Sequence, residues 1–102
     1  MSQQQHGISI EHKDSRSGGE FVVERENIRL AEMAYSRAGE HLIIISHTQV
    51  DDQLRGHGVA RLLLDALVSW ARETHTRVIA TCPYAKAQFD KDASIRDVYD
   101  EA

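Results

Sequence analysis

The chain has 102 residues, a net charge of −4 and a single cysteine, with 41% hydrophobic and 27% charged residues. That length suits one domain, residues 1–102, around one core, and the composition excludes a fibrous or wholly disordered chain. No clustered basic run offers the field that general nucleic-acid binding needs, and no apolar run approaches the roughly 18 to 20 residues that span a bilayer. Cys82 alone forms no intramolecular disulfide, and the amino-terminal residues are polar and glutamine-rich rather than a signal-peptide core, so the expected location is the cytoplasm.

Residues 1–7 read as a frayed tail. Ile8 to His12 alternates apolar and polar residues, the strand period. Ser15 to Gly19 is expected to turn, with Gly18-Gly19 supplying positive φ, before a second strand opens at Phe21-Val22-Val23. Glu26-Asn27 reads as a tight turn into a third strand, Ile28 to Ser36, in which Ile28, Leu30 and Glu32 share one face and Arg29, Ala31 and Met33 the other. Alanine, glutamate and methionine also favour helix there, so helix is the rival assignment. A turn pivots on Gly39, and Leu42-Ile43-Ile44-Ile45 has the β-branched composition of a strand covered on both faces. About ten polar residues without period follow, from Thr48 to His57.

The strongest periodicity comes next. Val59, Leu62, Leu63, Ala66, Leu67, Trp70 and Ala71 recur at helical spacing, which predicts an amphipathic helix over 58–74. Val78 to Cys82 reads as a further strand, stopped by Pro83, which removes a backbone donor and restricts the residue before it. Tyr84 to Asp90 has helical potential, and Val98-Tyr99 is expected to dock back on the body. Strand, helix and strand make a β-α-β crossover, in which both strand carboxyl ends and the helix amino end share one edge of the sheet, the edge where open α/β sheets bind ligands. His47, the stretch Arg55 to Ala60, and Cys82 all fall there.

Arg55-Gly56-His57-Gly58-Val59-Ala60 has the chemistry of an anion cradle. Glycines let the backbone approach a phosphate, the unpaired N–H groups of the first helical turn point toward it, and Arg55 and Arg61 add positive charge. A P-loop would require lysine and then serine or threonine after the last glycine, where Val59-Ala60 stands. A dinucleotide fingerprint would require a small residue where Arg61 stands.

R-x-x-G-x-A leading into an amphipathic helix resembles the acetyl-CoA motif of the GCN5-related N-acetyltransferase (GNAT) superfamily. With His47-Thr48-x-Val50 and Cys82-Pro83-Tyr84-Ala85-Lys86 in this order, the chain resembles the family's minimal branch of about a hundred residues from near Ile8 to Tyr99. The resemblance implies an α+β or α/β fold: a mixed, mostly antiparallel sheet that splays between the two parallel strands ending at His47 and Cys82, with the pantetheine arm of acetyl-CoA in the gap. It implies that Gln49 and Val50 meet the pantetheine amides, and that Arg55, Gly56, His57, Gly58, Val59 and Ala60 hold the pyrophosphate, near the charge that Arg61 adds one turn later. Tyr84 and Lys86 could also touch the coenzyme. An open site without extra amino-terminal helices suits an amine acceptor as large as a protein or peptide; separately, a monomer or weak dimer is expected.

Cys82, at a strand end near a helix amino terminus, is the candidate nucleophile, taking the acetyl group before passing it to an amine. The alternatives are a direct transfer in which Cys82 protonates the leaving thiolate or lines the pocket, and a small buried hydrophobe without chemistry. His47 is the candidate general base, or a structural histidine bonded to backbone. The six histidines show no ligand spacing with the cysteine, so no metal is expected. No carboxylate presents itself in the cleft. A coenzyme A-binding module without turnover is the competing reading.

Overall fold

The computed structural model describes residues 9–100. Five strands form one sheet in chain order: β1 (Ile10–Asp14), β2 (Gly18–Arg25), β3 (Ile28–Gly39), β4 (Leu42–Val50) and β5 (Arg77–Ala80). The first four pair antiparallel, and β5 joins β4 in parallel through helix α1 (Val59–Glu73). Helix α2 (Pro83–Lys91) and a 3₁₀ segment, Ala93–Val98, follow β5. The expected tail, residues 1–7, and Ile8 lie outside the described residues.

Local chemistry accounts for most boundaries. Glu26 and Asn27 both take positive φ, 54° and 69°, as the two-residue hairpin turn between β2 and β3 requires. The alternating segment 28–39 is strand, which settles the helix rival, because its residues pair on both sides, with β2 and with β4. Helix α1 stops in a Schellman arrangement: His75 takes φ 56°, Thr76 N–H donates to Ala71 O at 2.9 Å, and His75 N–H to Arg72 O at 3.4 Å. Pro83 opens α2 at its first turn, where its missing N–H costs nothing. Tyr99 bridges to Val78, so the end of the described chain docks as expected.

Among the described residues, only one face of the sheet is covered. Phe21, Val23, Met33, Tyr35, Ile43, Ile45 and Val78 point to the side where α1, α2 and the 3₁₀ segment pack, in a single buried cluster. Leu42 and Ile44 are only half-buried, which corrects the expectation of a β4 covered on both faces. On the helix-free face Val22 is fully buried, in the middle of an ionic mesh in which Arg29 reaches Glu20, Glu24 and Glu32 and Lys13 reaches Glu24. Long charged side chains shelter apolar surface with their stems.

Three sequence expectations shift. The buried arc of α1 is Val59, Leu63, Leu64, Leu67, Val68 and Ala71, and Leu62 stands 41% exposed. The apolar run Leu62-Leu63-Leu64 is wider than one face, and the sheet together with α2 selects the side turned one position onward. Thr48 to Val50 extend β4 rather than beginning an irregular loop, and buried Leu54 anchors the 3₁₀ turn Asp52–Leu54 that follows. Gly18 and Gly19 open β2 rather than forming the turn. A Cβ on Gly18 would stand 2.4 Å from the Tyr35 carbonyl oxygen, and one on Gly19 2.4 Å from the Lys13 carbonyl oxygen. Both obstacles are backbone, so Gly18→Ala is expected to destabilise the protein by about 1 to 3 kcal/mol in urea denaturation. A loss within error of zero would show that the β2–β3 pairing yields there.

The far end of the sheet carries a polar cluster. Tyr35 donates its hydroxyl to Asp14 Oδ1 at 2.6 Å and contacts His12 Nε2 at 2.7 Å, and Arg37 holds both Asp14 oxygens. Burial, then the Asp14 hydrogen bond, push the Tyr35 phenol well up, and burial pulls His12 down. With Trp70 against His12 and Tyr35, this cluster closes the core beside β1.

Candidate active site at the splayed edge

Pairing between β4 and β5 runs from Leu42–Arg77 to Ile45–Ala80 and ends there, although β4 continues to Val50. The Ile45 carbonyl takes the N–H groups of both Thr81 (3.0 Å) and Cys82 (3.1 Å), which closes the ladder and turns the chain into α2. Beyond it, among the described residues, Ser46–Val50 pair along their backbone with β3 alone, so the backbone groups on their other edge face a gap. This is the splay that the resemblance implied. The amino ends of α1 and α2 flank it by topology.

The glycine loop is built as an open cradle. Gly56 and Gly58 take φ of +84° and +71°, and a Cβ on either would meet nothing within 4 Å, so the backbone is bare toward solvent. Gly58 caps α1 with no side-chain hydrogen bond, and no acidic residue stands in the first turn. The first-turn N–H groups, from Val59 to Arg61, therefore remain available, with the positive end of the helix dipole behind them. Arg55 is highly exposed, its Nε 3.1 Å from the equally exposed Asp52, and His57 is exposed. Weak surface pairing leaves the Arg55 guanidinium free to turn to an anion.

Arg61 departs from its expected role. Its Nε donates to Asp65 at 2.8 Å, one terminal nitrogen to Gln88 at 2.8 Å, and the other to Asp92. Asp65 and then Asp92 raise its pKa, while Ser94, with Arg61 behind it, holds the Asp92 carboxyl well below the usual carboxylate range. The side chain ties α1 to α2, and two carboxylates offset its charge, so only its backbone N–H faces the cradle. At the start of α2, Tyr84 is half-buried against the core, with its phenol pushed up by burial, and Lys86 is exposed, 3.8 Å from Asp90.

The structure places Cys82 and His47 on opposite faces of β4. Cys82 is 4% exposed, and its Sγ shares a hydrogen bond with Thr48 Oγ1 at 3.1 Å on the helix side. His47 stands half-exposed on the helix-free side, its Nε2 3.2 Å from Glu32 Oε2 and 3.2 Å from Gln49 Oε1. The cause is one residue. Tyr35 pairs with Ile45 but Ala34 pairs with His47, so Ser46 is an extra residue in β4, a β-bulge. Strict alternation from Ile43 and Ile45 would put His47 on the helix side; the bulge reverses the phase and sends Thr48 there instead. The expected closeness of His47 and Cys82 is corrected accordingly.

Sequence reasoning missed two partners. Thr48 lies inside the quoted His47-Thr48-x-Val50 block but gained meaning only through the bulge. Glu32 is a carboxylate beside His47 on the helix-free face, and with Arg29, Leu30, Ala31, Gln49 and Asp51 it lines a pocket of 160 Å³ there. Among the described residues no group of three His, Cys, Asp or Glu side chains is placed to hold a metal ion, and no helix is long and apolar enough to cross a membrane.

The pattern of the GCN5-related N-acetyl-transferase family matches residues 20–98. The chain belongs to that family. It is similar to a GCN5-like protein from Staphylococcus aureus solved in solution by NMR, with 39% identity and a TM-score of 0.71 over 90% of this chain and 89% of that one. Among curated proteins it is 31% identical over 78 residues to protein NATD1 of Bos taurus, covering 76% of this chain and 67% of that protein. A GNAT family acetyltransferase from Elizabethkingia anophelis with acetyl-CoA bound shares the fold, with a TM-score of 0.64 at 10% identity, over 85% of this chain and 75% of that one.

Proposed function

We propose that this protein transfers the acetyl group of acetyl-CoA to an amine, with the coenzyme in the gap beyond Ile45 and Ala80. One observation carries the reading: the β4–β5 ladder stops beside a helix amino end that no side chain caps and no acidic residue faces. The free edge of β4 at Gln49 and Val50 suits the two amides of pantetheine, as a further strand would. The N–H groups of Gly56 and of Gly58 to Arg61, with Arg55 beside them, suit the pyrophosphate, and Tyr84 and Lys86 border the arm from α2. Acetyl-CoA supplies an activated thioester; the protein supplies position and proton handling.

Cys82 is the proposed acyl carrier. Its Sγ forms a bond to the acetyl carbon as the bond to the coenzyme sulfur breaks, and the thiol proton leaves with the coenzyme thiol. An amine then displaces Cys82, and its proton passes through water to His47, which lies on the opposite face of β4 from the thiol. Because His47 stands on the uncovered face, the amine approaches from there, which suits a lysine or terminal amine on a peptide or protein. A reducing compartment such as the cytoplasm keeps Cys82 a thiol.

Intact mass after incubation with acetyl-CoA tests the route. Wild type is expected to gain one acetyl group and Cys82→Ala none. An adduct retained in the variant would assign the acetyl group to another residue and remove Cys82 from the route. Coenzyme binding with neither adduct nor transfer would leave a binding module in place of an enzyme.

A further inference from the structure

Glu32 stands outside every motif that the resemblance rests on, yet its two carboxylate oxygens are divided between two partners. Oε1 accepts from Arg29 at 3.2 Å, and Oε2 lies 3.2 Å from His47 Nε2. A second bulge makes this possible. Val23 pairs with Ala31 and Glu24 with Arg29, so Leu30 is the extra residue, and it brings Arg29 onto the same face as Glu32. Arg29 is itself fixed by Glu20 at 2.9 Å. Glu32 is thus gripped from one side and presents its free oxygen to the imidazole from the other. It lies diagonally across the β3–β4 ladder from His47, whose direct partner is Ala34.

An ionised carboxylate only accepts hydrogen bonds, and the other atom facing Nε2 is the side-chain oxygen of Gln49. The Gln49 oxygen is the hydrogen-bond partner of Nε2 and the Glu32 charge stands 3.2 Å from the same nitrogen, an arrangement that favours the proton there when the ring is neutral. Nδ1, which has no hydrogen-bond partner among the described residues, then holds the lone pair.

We propose that Glu32 is a positioning residue that fixes His47 in its Nε2–H form, so that Nδ1 is the atom that takes the proton from the acceptor amine. As the ring becomes an imidazolium, Glu32 also faces the new positive charge, the service that a buried aspartate gives a histidine in a catalytic triad. The charged groups set around the ring are Glu32 from β3 and, through it, Arg29 with Glu20 and Glu24; β4 contributes the neutral Gln49. The proposal rests on His47 being the base of the transfer reaction.

Long-range ¹H–¹⁵N spectra of the histidine rings read the tautomer without any acceptor substrate. His57, exposed in the glycine loop with no side-chain partner, is the internal reference. In wild type the ratio of Nε2–H to Nδ1–H forms for His47 is expected to exceed that of His57 by about two- to fivefold, the range of an exposed ionic contact. In Glu32→Ala it is expected to fall toward the His57 value, and in Glu32→Asp to recover part of the difference, with backbone amide spectra reporting that the fold is kept. Equal ratios for His47 and His57 in wild type, or an unchanged ratio in Glu32→Ala, would overturn the proposal. Acetyl transfer to a lysine peptide forms the second arm: Glu32→Ala is expected to lower kcat by about 10- to 100-fold with the KM for acetyl-CoA unchanged. A lowered tautomer ratio with no loss of kcat would keep the contact and remove its role. A wild type that transfers nothing while showing the tautomer bias would count against the transfer reading, not against the Glu32–His47 pairing.

Discussion

Gly58→Asp is expected to weaken coenzyme A binding by about 100-fold or more while leaving the fold intact. The position separates the two effects. A Cβ at Gly58 meets nothing within 4 Å beyond the adjoining backbone, so a side chain there projects into the open space from which a phosphate would approach. Its φ of +71° strains most residues, but aspartate tolerates the left-handed region and is a favoured helix cap. The aspartate side chain would accept hydrogen bonds from the first-turn N–H groups, replacing the phosphate as their partner and repelling it at once. Left-handed backbone strain is expected to lower stability by about 1 to 2 kcal/mol. Gly58→Asn, of the same shape without the charge, should retain part of the affinity. Calorimetric titration with coenzyme A measures both variants, and unchanged affinity in Gly58→Asp would remove the loop from the binding site.

What could be read from the sequence follows from which interactions are local. The β4–α1–β5 unit was legible because a β-branched run, a 3.6-residue period and Pro83 each act within a few residues. The glycine loop was legible for the same reason, since Gly56 and Gly58 announce backbone freedom directly. The chemical half of the site was not. Whether His47 meets Cys82 depends on the phase of β4, and a single unpaired residue, Ser46, reverses it. Nothing in Ile44-Ile45-Ser46-His47 marks that bulge, because its cause lies in the pairing with β3. Glu32 was hidden in the same way: simple alternation placed it opposite Arg29, and the bulge at Leu30 put the two on one face. Arg61 looked like a phosphate ligand because its partners, Gln88 and Asp92, lie about thirty residues away and become neighbours only when α2 folds against α1.

Phe89→Ala is expected to cost about 3 to 5 kcal/mol, the range for truncating a fully buried aromatic. Phe89 is 0% exposed, and its ring stacks on Tyr99 at 4.4 Å between centroids, inclined by 5°. Tyr99 in turn bridges to Val78, so Phe89 joins α2, the end of the described chain and β5 in one packing unit with Ile95 and Val98. For a domain with a total margin of about 5 to 15 kcal/mol, such a loss removes much of it and lowers Tm by roughly 15 to 30 °C. Phe89→Leu should lose less, since it keeps much of the buried volume. The functional consequence follows from chain order. Helix α2 begins at Pro83 with Cys82 as its cap, so loosening its far end frees the amino end that shields the thiol. Iodoacetamide is therefore expected to alkylate Cys82 faster in Phe89→Ala than in wild type, at temperatures below both unfolding transitions. A thermal shift with unchanged alkylation would mean that α2 unfolds only with the whole molecule, and that the contact of Thr48 with Cys82 holds the site by itself. A loss below about 1 kcal/mol would place Phe89 outside the cooperative core altogether.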